Sequence, residues 1–197
     1  MKISEYPVIT TLSDNDLLLI ETASDGAYKS ISNSNLKAEV SGNGSGSAYI
    51  QLTDTRASGV VGGTATFASW TTRPINNIDH DDTSAVTLVS NEFVLPSGIY
   101  QIEATVAFYG LFDTKLRLQN VTDATTILYG INAQFNPSAG FVGHSHLFGK
   151  FTVTANKSLA LQYYTVSGGS SSQYNYGGSV GDGSPEKYAS IDIWKVG

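Results

Sequence analysis

The 197-residue chain is long enough for one large all-β domain, or for a domain of about 150 residues with an extra segment. Its net charge of −6, with only 14% charged residues, speaks against a nucleic-acid partner, because phosphate binding needs a basic surface. The absence of cysteine removes disulfides, thiolate zinc sites and thiol catalysis, and no apolar run reaches the roughly 18 residues of a membrane-spanning helix.

Along the chain, Lys2 is followed by no continuous apolar stretch, so no cleaved signal peptide is expected. Leu17-Leu18-Leu19-Ile20-Glu21 reads as a strand, Asp25-Gly26 as a hairpin turn and residues 27–31 as the return strand. Ser32 or Asn33 is placed to cap a short helix through about Val40. Some 40 residues with one hairpin and a turn or two of helix are too few for an independent core. This segment is expected to order only against copies of itself or a larger assembly. Ser41-Gly42-Asn43-Gly44-Ser45-Gly46-Ser47 then reads as a flexible linker.

From residue 48 onward, strand-length segments alternate with turn signals. Residues 48–53 form one strand, 64–72 a second with Phe67 and Trp70 in it, and 86–95 a third. After Pro96-Ser97-Gly98, residues Tyr100, Ile102, Ala104, Val106 and Phe108 alternate with Gln101, Glu103 and Thr105. Period two over that length means one buried face. Residues 115–119 and 126–129 flank a turn at Asn120-Val121-Thr122-Asp123. Further on, Ser145, Leu147, Gly149, Phe151 and Val153 form an inward set, with His144, His146, Phe148 and Lys150 on the other face. Residues 159–166 are apolar on both faces: Leu159, Leu161 and Tyr163 on one, Ala160, Tyr164 and Val166 on the other. Residues 167–185 form a Gly-, Ser- and Tyr-rich loop, and 189–196 close the domain. Eight to ten strands without a long helix fit an all-β fold, an antiparallel two-sheet jelly-roll sandwich. The strand apolar on both faces either meets a neighbouring subunit with its second face or lies centrally beneath a loop.

Two resemblances add to this reading. Phe67-Ala68-Ser69-Trp70, the stretch Phe93-Val94-Leu95-Pro96-Ser97-Gly98-Ile99-Tyr100-Gln101-Ile102-Glu103-Ala104, Leu116-Arg117-Leu118-Gln119-Asn120-Val121-Thr122-Asp123 and the closing Ile193-Trp194-Lys195-Val196 occur in this order. Residues 48–197 thereby resemble the tumour-necrosis-factor-like jelly-roll domain at the ends of phage fibre and virion-surface proteins. Ile3-Ser4-Glu5-Tyr6-Pro7, Leu12-Ser13-Asp14-Asn15-Asp16-Leu17-Leu18-Leu19-Ile20, Lys29-Ser30-Ile31 and Asn35-Leu36 are similar to an opening, virion-attachment module of phage structural proteins, with Tyr6 where Leu is common. The resemblance implies a homotrimer about a threefold axis, with Leu159, Leu161, Tyr163, Tyr164 and Phe148 as interface candidates. It also implies a virion surface, capsid exterior or tail, as the location. Docking on a major capsid or tail protein would then fall to Leu17, Leu18, Leu19, Ile20, Ile31 and Leu36. No long shaft separates linker from head, which suits a capsid decoration, cement or short head-fibre protein. A receptor-binding tail-fibre tip or lectin-like module remains the alternative.

Candidate chemistry is sparse. Asp79-His80-Asp81-Asp82 is rich in oxygen ligands but lacks the spacing of a calcium loop, and reads as a solvated loop. His144 and His146 share a strand face; across a threefold axis they could ring a metal, but surface histidines are far commoner, and no metal or cofactor is expected. Neither a Gly-x-Ser-x-Gly elbow nor a P-loop nor a zinc-protease motif is present, which points away from an enzyme. Tyr174 and Tyr176, and with them Tyr188, sit among Gly, Ser and Asn, where they either bind a host-surface glycan or pack on the sandwich.

Overall fold

Alternation decides the core. Tyr100, Ile102, Ala104, Val106 and Phe108 of β8 (Gly98–Tyr109) are all buried, as are Ser145, Leu147, Phe151 and Val153 of β11 (Val142–Val153). The computed structural model describes residues 17–21, 28–32, 47–134, 142–166 and 172–197. Contacts divide the chain into two units, Met1–Gly46 and Ser47–Gly197.

In the first unit, β1 (Leu17–Glu21) and β2 (Tyr28–Ser32) pair antiparallel, with Leu18 opposite Ile31. The expected turn at Asp25-Gly26, the short helix toward Val40 and Leu36 lie outside the described residues.

The second unit is a jelly-roll sandwich of two antiparallel sheets. One sheet runs β11-β8-β13-β3-β5, with β13 (Glu186–Lys195) between β8 and β3 (Ala48–Arg56), and β5 (Asn77–Asp81) at the edge. The other runs β10-β9-β12-β7-β6: β10 (Thr125–Tyr129), β9 (Thr114–Asn120), β12 (Lys157–Thr165), β7 (Glu92–Leu95) and β6 (Thr87–Val89). The two-residue β4 (Thr71–Thr72) also joins β12. Facing side chains of both sheets, among them Ile50, Phe93, Leu118, Leu161 and Ile193, fill one core.

Three expected elements differ. Residues 64–72 are not a strand: Ala68 takes a φ of 55°, which interrupts extended backbone, and only Thr71–Thr72 pairs. Residues 86–95 are a hairpin. Ser90 and Asn91 have φ of 54° and 66°, the positive pair that reverses a chain in two residues between β6 and β7. The acidic run at 79–82 is an edge strand and its cap rather than a solvated loop. Asp81 accepts hydrogen bonds from the Thr83 and Val86 amides, and Asp82 accepts one from the Tyr49 amide.

Candidate functional site: two sheet faces and a buried arginine node

The solvent face of the five-stranded sheet carries aromatic and polar side chains. Tyr49 lies 5.6 Å from both the His80 and Trp194 rings, and its hydroxyl donates to Asp192. Burial, then the hydrogen bond to the Asp192 carboxylate, pushes the Tyr49 hydroxyl up to about 12. Asp192 also accepts from Gln51 Nε2 at 2.9 Å and Ser190 Oγ at 3.0 Å. His80 Nε2 meets Asp82 Oδ1 at 2.6 Å; the Tyr49 amide and this ring hold the Asp82 carboxyl below its usual range. Register then sets Asp192 opposite Glu103, and Glu103 opposite Phe148, which is 62% exposed. Thr105 and His146 Nδ1 are 3.1 Å apart, and the His144 and His146 rings lie 6.4 Å apart on this face. Among the described residues, no three His, Asp or Glu side chains gather as a metal site would need.

The interface candidates divide between core and surface. Leu159, Leu161 and Tyr163 are fully buried in their own sandwich, so they are corrected from interface to core. The continuous apolar set Leu159, Leu161 and Tyr163 fills the core, while the other face of β12 mixes Ala160 and Tyr164 with Ser158 and Gln162. Tyr164 points to the other side of the strand and is half-buried, and Phe148 stands on the opposite sheet. The docking candidates Leu17, Leu18, Leu19, Ile20 and Ile31 lie on the β1–β2 pair.

The tyrosines also divide. Tyr174 is exposed and lines a cleft of about 380 Å³ with Tyr109, Gly178 and Ser179. Tyr176 is buried, and so is Tyr188, whose hydroxyl donates to the Val60 carbonyl. Both are therefore packing residues rather than receptor contacts.

Tyr176 belongs to a node that nothing in the sequence announced. The Arg73 guanidinium, fully buried, donates from Nη1 to Asp54 Oδ2 at 2.8 Å and lies 3.9 Å over the Tyr176 ring. Its Nη2 reaches the carbonyls of Tyr188 and Tyr176 at 3.3 and 3.5 Å. Asp54 also accepts from Arg56 Nε at 2.8 Å, so one carboxylate answers two guanidinium groups. Tyr176 and Tyr163 share a hydroxyl pair at 2.8 Å, and Tyr163 Oη accepts from the Thr66 amide. Burial, then the hydrogen bond with the Tyr163 hydroxyl, raises the Tyr176 pKa. The node ties the loop around Tyr176 and the segment around Thr66 to β12 and β3. Leu52, Thr53 and Asp54 are three consecutive buried residues in β3, a break of alternation that only the structure reveals.

No protein-family model and no curated protein matches the chain. Among solved structures, it is similar to murine APRIL at 9% identity, over 76% of this chain and 98% of that chain, with a TM-score of 0.49. It is also similar to the globular domain of a zebrafish complement 1qA protein at 11% identity, over 77% of this chain and 98% of that one, with a TM-score of 0.48.

Proposed function

We propose that the chain is a non-enzymatic phage virion-surface protein, a homotrimer that docks through residues 1–40 and displays the jelly-roll head, as a capsid decoration, cement or short head-fibre protein does. The observation that carries the assembly is the solvent face of the five-stranded sheet. Phe148 stands there 62% exposed, on the same face as Tyr49 and Trp194, on a head that carries few charges. Large apolar side chains at the surface of a folded domain gain most when a second copy covers them. The division of the chain at Gly46 supports separate docking and display units, as do the attachment-type motifs in residues 3–36. Three weak docking segments on one rigid trimer would hold a particle through their high effective concentration.

The test is light scattering on the full chain, with three times the 20.9-kDa mass expected. Phe148→Arg should lower that mass without unfolding the head, because the side chain is outside the core; a monomeric wild type overturns the trimer. Removal of residues 1–46 should abolish joining to particles, and normal incorporation overturns the docking role. A second reading, a host-adhesion tip, is favoured by Tyr174 beside its cleft. It requires that Tyr174→Ala weaken attachment to host cells.

A further inference from the structure

The outward face of the six-stranded sheet carries a cluster that the proposed function leaves unused. Register sets Tyr129 opposite Arg117 and Arg117 opposite Gln162, with Lys115 opposite Tyr164 one step along. Trp70, brought over the sheet by the loop before β4, completes it: its ring lies 5.6 Å from Tyr164 and 6.1 Å from Tyr129. The Arg117 guanidinium sits 4.4 Å from the Trp70 ring centre, and Lys115 Nζ lies 5.1 Å from that of Tyr129. Arg117 is held in place: Nε donates to Gln162 Oε1 at 2.8 Å and Nη1 to Thr126 Oγ1 at 3.2 Å.

The cluster holds two cations side by side on aromatic rings. Arg56, Arg73, Lys157 and Lys187 each have a carboxylate partner. Among the described residues no carboxylate pairs with Lys115 or Arg117, although the protein carries net charge −6. Beside them opens a cleft of about 360 Å³, lined by Lys115, Tyr164, Val166, Asn132, Gln134 and Asp113, within the size range of small-ligand sites. Asp113 is the one carboxylate among the described residues of that lining.

We propose that this face binds an acidic saccharide, a pyranose bearing a carboxylate or sulfate. The rings of Tyr129 and Tyr164 offer flat apolar surfaces for the C–H face of a sugar, and Lys115 and Arg117 meet its anionic group. Cations already resting on aromatic rings lose less freedom when a ligand arrives. The site lies within one chain and does not rest on the trimeric reading.

The test uses the full-length protein with a trisaccharide of galacturonate, sialyllactose and a heparin-derived tetrasaccharide, against neutral maltotriose and lactose. Tryptophan fluorescence reports binding. Trp194, the other tryptophan, lies on the opposite sheet, so Trp194→Phe should keep the response. At least one acidic sugar should bind, more weakly as salt rises, while the neutral sugars do not. Tyr129→Ala should weaken that binding at least about tenfold, equivalent to 1.4 kcal/mol, and so should Lys115→Gln. Tyr129 is 59% exposed, so its removal spares the core, and Lys115→Gln provides a second variant of unchanged size. Equal binding of neutral and acidic sugars overturns the proposal. So does no binding of any probe, or a Tyr129→Ala protein that changes oligomeric state while the wild type binds none of them.

Discussion

Tyr163 of β12 and Tyr176 of the following loop share one hydroxyl–hydroxyl hydrogen bond at 2.8 Å, buried beneath the Arg73 guanidinium. The two hydroxyls are not equivalent. Tyr163 also accepts from the Thr66 amide, so Tyr163→Phe leaves two polar groups without a partner, whereas Tyr176→Phe leaves one. The expected loss is about 1–3 kcal/mol for Tyr163→Phe and a smaller one for Tyr176→Phe, read from urea unfolding midpoints. The reverse order would show that Thr66 finds another acceptor.

The ion pair above them is expected to be costly to break. Neither Arg73 nor Asp54 has any exposure, and Arg73 Nε has no hydrogen-bond partner among the described residues. Arg73→Met strands the Asp54 carboxylate with only Arg56, and Asp54→Ala strands a buried guanidinium. Each should cost about 3–5 kcal/mol in equilibrium unfolding. A loss below about 1 kcal/mol would match a solvated surface pair instead.

Gly62 should tolerate no side chain. A Cβ there would lie 2.8 Å from the Tyr176 carbonyl carbon, and backbone cannot swing aside as a flexible side chain does. Gly62→Ala is expected to destabilise the head by about 1–3 kcal/mol and to expose the Tyr176 loop to protease. Unchanged proteolysis would mean that the loop is held elsewhere.

Glu186 predicts an acid-sensitive region. Its carboxylate accepts from the amides of Gly181 at 2.8 Å, Gly59 at 3.0 Å and Val180 at 3.0 Å, and these donors hold its pKa below the ordinary glutamate value. A depressed folded pKa means stability that is fully present above the unfolded value and is lost as pH falls through the folded one. Hydrogen exchange at Gly59, Val180 and Gly181 should therefore accelerate relative to the core below about pH 4. Glu186→Gln should show fast exchange already at neutral pH and remove that pH dependence; a wild type with flat relative protection contradicts the account.

How much of this was legible depended on periodicity. In β8 and β11, strict alternation identified the buried set from Tyr100 to Phe108 and from Ser145 to Val153 without ambiguity. In β12, alternation separates the two faces, but Ala160, Tyr164 and the following Val166 make the second face apolar enough that the pattern does not say which is core and which surface. The resemblance to a trimeric family points Leu159, Leu161 and Tyr163 at a neighbour, whereas they are fully buried in their own sandwich. Irregular backbone has no period. Nothing in the composition around Tyr174 and Tyr176 distinguishes the exposed ring from the buried one. Arg73 lies 19 residues from Asp54, and only the fold brings the two together. The Trp70 cluster is hidden in the same way, because its five side chains come from a loop, the β9–β10 hairpin and the distant β12, which only the sheet brings together.

The position of β13 has a consequence for biosynthesis. The last strand of the head lies between β8 and β3, bonded along both edges, with Lys195 opposite Ala48. Residues 186–195 must therefore leave the ribosome before the centre of that sheet exists, and until then β3 and β8 each present an unpaired edge to β13. Closure of the sheet depends on contacts of very long sequence separation, such as Lys195 with Ala48, which favours slow folding and makes a chain lacking residues 186–195 prone to aggregate.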